Sequence, residues 1–202
     1  SLMNPKVSII TVCYNSEKTI EDTLQSVINQ SHPNIEYIVI DGVSTDNTLS
    51  IINKYKDKIS VLISEKDKGI YDAINKGISI ATGDIIANLN SDDFYIDDKV
   101  ITDVVSTFGK EKTDTLYADL FYVDAYDINK IVRYWKSKPY KEGLFLRGWM
   151  PPHPTFFVKK EVYQKYGLFD LQFKSAADYE IMLRFIHRFK VSISYLPRVI
   201  VK

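Results

Sequence analysis

The chain has 202 residues, 45% of them hydrophobic and 26% charged, with a formal net charge of zero. That is enough for one substantial core, and the lack of a basic surplus argues against a dedicated nucleic-acid binder. A single cysteine, Cys13, excludes an internal disulfide framework and suits a reducing compartment, while no run approaches the ~18 apolar residues of a membrane span.

Ser1-Leu2-Met3 reads as a short non-native leader before a natural start at Met3. Residues 6–12 are β-branched and apolar, a buried strand followed by polar Tyr14-Asn15-Ser16. Ile20, Leu24, Val27 and Ile28 recur at helical spacing up to Ser31-His32-Pro33. Residues 35–40 predict a second buried strand, and Leu49, Ile52 and Tyr55 a second helix. Residues 59–63 form a third strand. A charged loop over 65–69 leads into a helix lined by Ile70, Ile74, Ile78 and Ala81, and residues 85–89 form a fourth strand. Near-continuous apolar strands alternating with helices predict an α/β fold with a mostly parallel sheet covered on both faces. In such sheets ligands bind beyond the carboxyl ends of the strands, where Tyr14-Asn15, Asp41-Gly42, residues 65–69 and Asn90-Ser91-Asp92-Asp93 all fall.

The second half is less regular. Val100, Ile101, Val104, Val105 and Phe108 predict a helix. Residues 116–123 and 130–135 predict strands paired as a hairpin. Residues 136–154 lack periodicity and hold four prolines, two glycines and Trp149, which is more often a functional loop than a spacer. A short strand over 155–158, a helix over 160–166 ended by Gly167, a helix over 177–189 and a strand over 191–196 complete the chain. Residues 199–202 read as an apolar run cut short, so the chain is expected to continue past Lys202.

The acidic cluster Asn90-Ser91-Asp92-Asp93 carries the most chemistry. Adjacent carboxylates repel, and Mg²⁺ or Mn²⁺ compensates them while accepting phosphate oxygens as further ligands; the alternative is a helix cap or a solvated turn. Asp41 directly follows a buried strand, so its carboxylate is expected to accept hydrogen bonds from a ligand above the sheet. Gly42 permits a tight turn or positive φ, and Asp46 suits a helix first turn. His32 reads as a surface residue and His187 as a surface or packing residue. His153, between Pro152 and Pro154, suits a ligand contact as well as a structural turn. Asp178 opens the last long helix as an N-cap, a catalytic base, or both. No glycine-rich dinucleotide fingerprint, phosphate loop or GxSxG elbow occurs.

These segments resemble the large family 2 of inverting glycosyltransferases, which includes the spore-coat polysaccharide, cellulose, chitin and hyaluronan synthases. The similarity is greatest to small bacterial transferases of capsule, lipopolysaccharide and exopolysaccharide assembly. It rests on residues 7–15 (VSIITVCYN), 36–46 (EYIVIDGVSTD), 65–83 (EKDKGIYDAINKGISIATG), 89–93 (LNSDD) and 175–183 (SAADYEIML). The resemblance implies a GT-A fold in one domain, with a nucleotide-sugar-binding half over 3–95 and an acceptor half over 96–202. It implies that Thr11, Tyr14, Asn15, Asp41, Lys68, Gly69 and Asp92 contact the nucleotide, with Asp41 accepting from uracil N3–H. Asp92 and Asp93 would hold Mg²⁺ or Mn²⁺, although Asn90 stands where relatives often carry Asp. Asp178 would be the base, although Ala177 replaces the usual preceding Glu. Arg147, Trp149, His153 and Glu180 are the acceptor or lid candidates.

No Gln-x-x-Arg-Trp motif appears, so a single-sugar transfer is implied. The implied partners are a UDP- or dTDP-sugar and a saccharide or lipid-linked acceptor, with a cytoplasmic location at or near the inner membrane face. Two competing classes are a sugar nucleotidyltransferase, which usually carries a glycine-rich loop that residues 13–19 lack, and a non-catalytic nucleotide-sugar-binding module.

Overall fold

The computed structural model describes residues 4–202; Ser1-Leu2-Met3, and with them the expected start of the chain, lie outside the described residues. In chain order the elements are β1 (Val7–Cys13), α1 (Ile20–Ile28), β2 (Ile35–Asp41), α2 (Thr48–Asn53), β3 (Val61–Ser64), α3 (Ile70–Ile80) and β4 (Ile85–Asn88). There follow α4 (Val100–Glu111), β5 (Thr115–Val123), β6 (Ile131–Trp135), β7 (Phe157–Lys159), α5 (Lys160–Tyr166), α6 (Ala177–Met182) and β8 (Ile193–Val201). One sheet runs β3-β2-β1-β4-β7-β5-β6, and β8 pairs with β5. β1 pairs in parallel with β2 and β4, β2 with β3, and β5 with β8. β7 is antiparallel to both β4 and β5 and joins the two parallel groups.

Every residue of β1 is buried, and its alternation feeds two cores. Val7, Ile9 and Cys13 pack on one face with Leu24 of α1, Ile52 of α2 and Val104 of α4. Ile10 and Val12 pack on the other with Ile74 of α3, Val162 of α5 and Ile181 of α6. Side chains two apart share a sheet face, so one continuous apolar run serves a helical layer on each side. The parallel register puts Cys13 beside Asp41 and Asp41 beside Ser64. The ends of β1, β2 and β3 therefore form one rim, with the polar loops above it.

Several local expectations change. The last strand does not stop at Leu196 but runs on to Val201, because Pro197 and Arg198 are accommodated where the β5 partner shifts from Ala118↔Leu196 to Asp119↔Val199. A bulge spares proline the ladder bond it cannot donate. The last long helix widens after α6 into a π-helical turn, Leu183–Arg188, with Phe189 N–H donating to the Arg184 carbonyl at 3.0 Å. His32 is buried rather than superficial, its Nε2 2.8 Å from the Pro5 carbonyl oxygen. Positive φ falls at Val43 (64°) and not at Gly42, a strained position for a β-branched side chain. No helix of the described residues is long and apolar enough to cross a membrane.

Candidate active site

β4 delivers the acidic turn. Leu89 N–H donates to the Ile10 carbonyl at 2.9 Å, and Asp93 N–H to that of Asn90 at 3.0 Å. Thr23 of α1 donates its hydroxyl toward the carbonyls of Ser91 (3.0 Å) and Asp93 (2.6 Å), while the Ser16 and Ser91 hydroxyls meet at 2.8 Å. These bonds fix the backbone and leave the acids free. Lys99 N–H is capped by Asp97 (2.9 Å), so the cluster is not the cap of α4. Asp92 is exposed and Asp93 half-buried. Burial, and secondly the Asp92 charge, push the Asp93 carboxyl up to about 7.

An acid held near neutrality beside a second acid, on a fixed turn, fits a divalent cation. Such an ion completes its shell with water and phosphate oxygens and needs only one or two protein carboxylates. No group of three or more His, Cys, Asp or Glu side chains able to hold a metal gathers among the described residues, so these residues offer no closed protein cage.

A cleft of about 770 Å³ opens over the β1 rim, lined among others by Tyr14, Asn15, Asp46, Asp67, Gly69 and Asp92. Tyr14 is 60% exposed. Asn15, at φ 48°, accepts from Thr45 N–H at 2.8 Å and donates its own N–H to Ser44 Oγ at 2.9 Å, which ties the loop after β1 to the loop after β2. Asp46 accepts from Thr48 N–H at 2.9 Å, the helix-start role expected of it.

Two expected nucleotide contacts do not face this cleft. Thr11 is fully buried and spends its hydroxyl on Tyr37 at 2.8 Å. Asp41 is fully buried as well. One oxygen accepts from Ser44 N–H (2.9 Å) and Ser64 Oγ (2.8 Å), the other from the Ser44 hydroxyl and Cys13 Sγ. A carboxylate whose two oxygens already accept four bonds has no free direction left for a base. Asp41 is a structural clasp between β2, β3 and the intervening turn. Lys68 is exposed outside the cleft lining, where Gly69 (φ 113°) remains.

A second cavity of about 220 Å³ adjoins the first through Ile70 and Asn90, which line both. Asp178 lies in it with Tyr71, Asn88, His153 and Ser175. Asp178 is the second residue of α6, whose start carries no side-chain capping bond. Its Oδ2 instead accepts from the Tyr71 hydroxyl at 2.7 Å and lies 3.6 Å from His153 Nε2. Burial first, and then the hydrogen bond to Asp178, push the Tyr71 phenol above its ordinary range, so it stays a donor. Tyr71 also stacks on Phe169 at 5.4 Å.

The remaining acceptor candidates separate. Glu180 faces away, paired with Arg184 through Nε (3.0 Å) and Nη2 (2.8 Å). Trp149 packs among Tyr117, Tyr140 and Phe145, with ring centroids 5.5–5.8 Å apart, so its indole is part of an aromatic cluster and not a free sugar platform. Arg147 is exposed at the end of the Leu144–Arg147 turn. Only His153 of this set reaches the Asp178 cavity.

The model for glycosyl transferase family 2 matches residues 8–167. The chain belongs to glycosyltransferase family 2. An uncharacterized glycosyltransferase of Mycobacterium tuberculosis (strain CDC 1551 / Oshkosh) is 32% identical over 186 residues, 89% of this chain and 68% of that protein. TuaG of Bacillus subtilis (strain 168), a glycosyltransferase assigned to teichuronic acid biosynthesis, is 42% identical over 99 residues, 48% of this chain and 39% of its own length. Among solved structures, S. aureus TarS 1-349 in complex with UDP-GlcNAc superposes with a TM-score of 0.79 at 23% identity, covering 97% of this chain and 57% of that one. The mannosyltransferase PcManGT of Pyrobaculum calidifontis, in complex with GDP-Man and Mn²⁺, gives 0.72 at 20% identity, covering 97% and 56%. These likenesses bear out the family 2 resemblance and the GT-A fold. The chain spans well under two thirds of the length of TuaG and of both structural neighbours.

Proposed function

We propose that this family 2 chain is the catalytic domain of an inverting glycosyltransferase. It takes a UDP- or dTDP-linked sugar donor, with Mg²⁺ or Mn²⁺, and a saccharide or lipid-linked acceptor of bacterial surface polysaccharide assembly. The observation that carries the reading is the pairing of two neighbouring cavities, one bordered by the exposed Asp92 and the other holding Asp178, joined at Ile70 and Asn90. Donor and acceptor need adjoining sites of this kind. The division into a nucleotide half over 3–95 and an acceptor half over 96–202 belongs to the same reading.

In this reading Asp92 and Asp93 hold the cation, which when bound neutralises the diphosphate. Asp178 accepts the proton of the attacking acceptor hydroxyl, and Tyr71 holds that carboxylate in place. A bound acceptor occupies the small cavity beside His153 and excludes water from the reacting face. Isothermal titration of UDP-, dTDP- and GDP-sugars with Mn²⁺ tests the donor class. Micromolar binding of a UDP- or dTDP-sugar is expected. Binding of no sugar nucleotide by the folded protein overturns the reading, and tight donor binding with no transfer to any acceptor favours the non-catalytic module.

A lipid-linked acceptor would bring the enzyme to the inner face of the cytoplasmic membrane. The edge strand β6 supports such peripheral contact, because Ile131, Val132 and Tyr134 are about half exposed beside Lys130 and Arg133. Apolar and cationic side chains together favour anionic lipid. Co-sedimentation with phosphatidylglycerol vesicles is expected, and is expected to fall for Val132→Glu. Equal recovery with and without vesicles rejects the contact.

A further inference from the structure

We infer that Asp67, in the loop between β3 and α3, is the residue that reads the donor's base, and that it selects bases carrying a ring N–H. The inference rests on the proposed nucleotide-sugar reading and deepens it at the same cleft. Asp41 is closed off by its own four hydrogen bonds. Asp67 lines the cleft and is half-buried. Its Oδ1 accepts from Gly69 N–H at 2.9 Å, which fixes the carboxylate plane, while its Oδ2 has no hydrogen-bond partner among the described residues.

That free oxygen lies over Gly42. A Cβ added at Gly42 would stand 2.9 Å from Asp67 Oδ2 and 3.6 Å from the Tyr14 ring. The bare glycine thus lets Asp67 Oδ2 approach the Tyr14 ring, so an unpaired acceptor and an exposed aromatic ring border the same part of the cleft. A planar base that stacks on Tyr14 and presents an N–H at its edge satisfies both. Uracil and thymine carry N3–H, and guanine N1–H. Cytosine carries only a lone pair at N3, which an ionised carboxylate repels.

The loop is rigid enough to discriminate. Lys76 Nζ donates to the Lys66 carbonyl at 3.0 Å, and Lys68 N–H donates to Asp72 Oδ2 at 2.8 Å. These bonds brace residues 66–68 from α3, so the Asp67 oxygen is aimed before any ligand arrives.

Asp67→Asn gives a directional test. Gly69 N–H still requires an acceptor, so the amide oxygen stays at Oδ1 and the NH₂ takes the free position. An acceptor becomes a donor there. Calorimetry of UDP, dTDP, GDP and CDP with Mn²⁺ reads the effect. The wild type is expected to prefer UDP over CDP. In Asp67→Asn, UDP affinity is expected to fall about 10-fold or more, the range for a hydrogen bond to a charged group, while CDP binding holds or improves.

Gly42→Ala, which keeps every carboxylate but pushes Asp67 aside, is expected to weaken UDP without a gain for CDP. Asp41→Asn is expected to lower Tm and leave the UDP-to-CDP ratio of the folded fraction unchanged. The arms with dTDP and GDP show which N–H base the cleft admits. If the wild type prefers UDP and Asp67→Asn leaves that preference intact, Asp67 is not the reader and the uridine reading stands. If Asp41→Asn collapses the ratio instead, the base is read by Asp41. If the wild type binds UDP and CDP alike, both the inference and the uridine preference fall.

Discussion

Asp178→Asn is expected to cut turnover by ~10²-fold or more, the usual scale for loss of a general base, with UDP binding and Tm little changed. An acceptor hydroxyl is a poor nucleophile at neutral pH, so a carboxylate must take its proton as the new bond forms. Asp178 meets the geometric demand. It is on a helix, a fixed element, its Oδ2 is held by Tyr71 at 2.7 Å, and it lies in the cavity that adjoins the donor cleft at Ile70 and Asn90.

The neutral expectation for stability follows from the same contacts. α6 carries no side-chain capping bond at its start, so no cap is lost, and the asparagine oxygen still accepts from Tyr71. Glu180→Gln is the control and is expected to behave in the opposite way. Glu180 neutralises Arg184, which also donates to the carbonyls of Tyr166 (2.8 Å) and Leu168 (2.7 Å), so that variant is expected to lower Tm and act on turnover only through stability. A steady-state transfer assay beside a thermal melt separates the two. Near-wild-type transfer by Asp178→Asn with abolished transfer by a folded Glu180→Gln would move the base to Glu180.

The contrast between Asp178 and Asp41 shows where sequence reading stops. Both are acids at the edge of a regular element, and both invite a ligand role. The strand that ends in Asp41 is legible from its apolar run. The fate of the carboxylate is not, because Ser64 reaches it from β3, 23 residues away. Thr11 is hidden from the cleft for the same reason, by Tyr37, 26 residues away. Tyr71 lies in the 65–83 segment that carries the family resemblance, but its partner lies 107 residues on, and no local pattern announces such a bond. The pairing of Glu180 with Arg184 is different. Four-residue spacing on a helix is a readable signal, and it would have removed Glu180 from the acceptor candidates. Four-residue recurrence of Ile181, Phe185 and Phe189 gave the last helix correctly, but periodicity cannot distinguish an α turn from the π turn that ends it. Likewise Pro197 reads as a strand end, because a bulge that shelters proline depends on the neighbouring strand.

Asp93→Asn is expected to weaken turnover by ~10²-fold, the scale for loss of an electrostatic contact to a developing charge, yet to make the metal-free protein more stable above neutral pH. The two effects share one cause. Asp93 has been pushed up to about 7 by burial and by Asp92, so ionising it in the folded state is unfavourable. Its folded value lies above the ordinary carboxylate value of ~3.9. The unfolded chain therefore releases this proton first as pH rises, and the contribution of the protonated acid to stability is lost between about pH 4 and 7. Asparagine carries no charge to bury, so its melting temperature should exceed that of the wild type at pH 8 and not at pH 4.

Asp92→Asn removes the neighbouring charge and is expected to move in the same direction with a smaller gain, because Asp92 is exposed. Adding Mn²⁺ at pH 8 is expected to raise the wild-type Tm and to raise that of either variant less, since a ligand that binds only the folded state stabilises it by mass action. Donor binding in excess chelator should fall for the wild type, where diphosphate and carboxylates then repel each other unscreened. Full transfer activity in excess chelator, or a wild-type Tm that Mn²⁺ leaves unmoved at pH 8, would show that the two acids serve some purpose other than holding a cation.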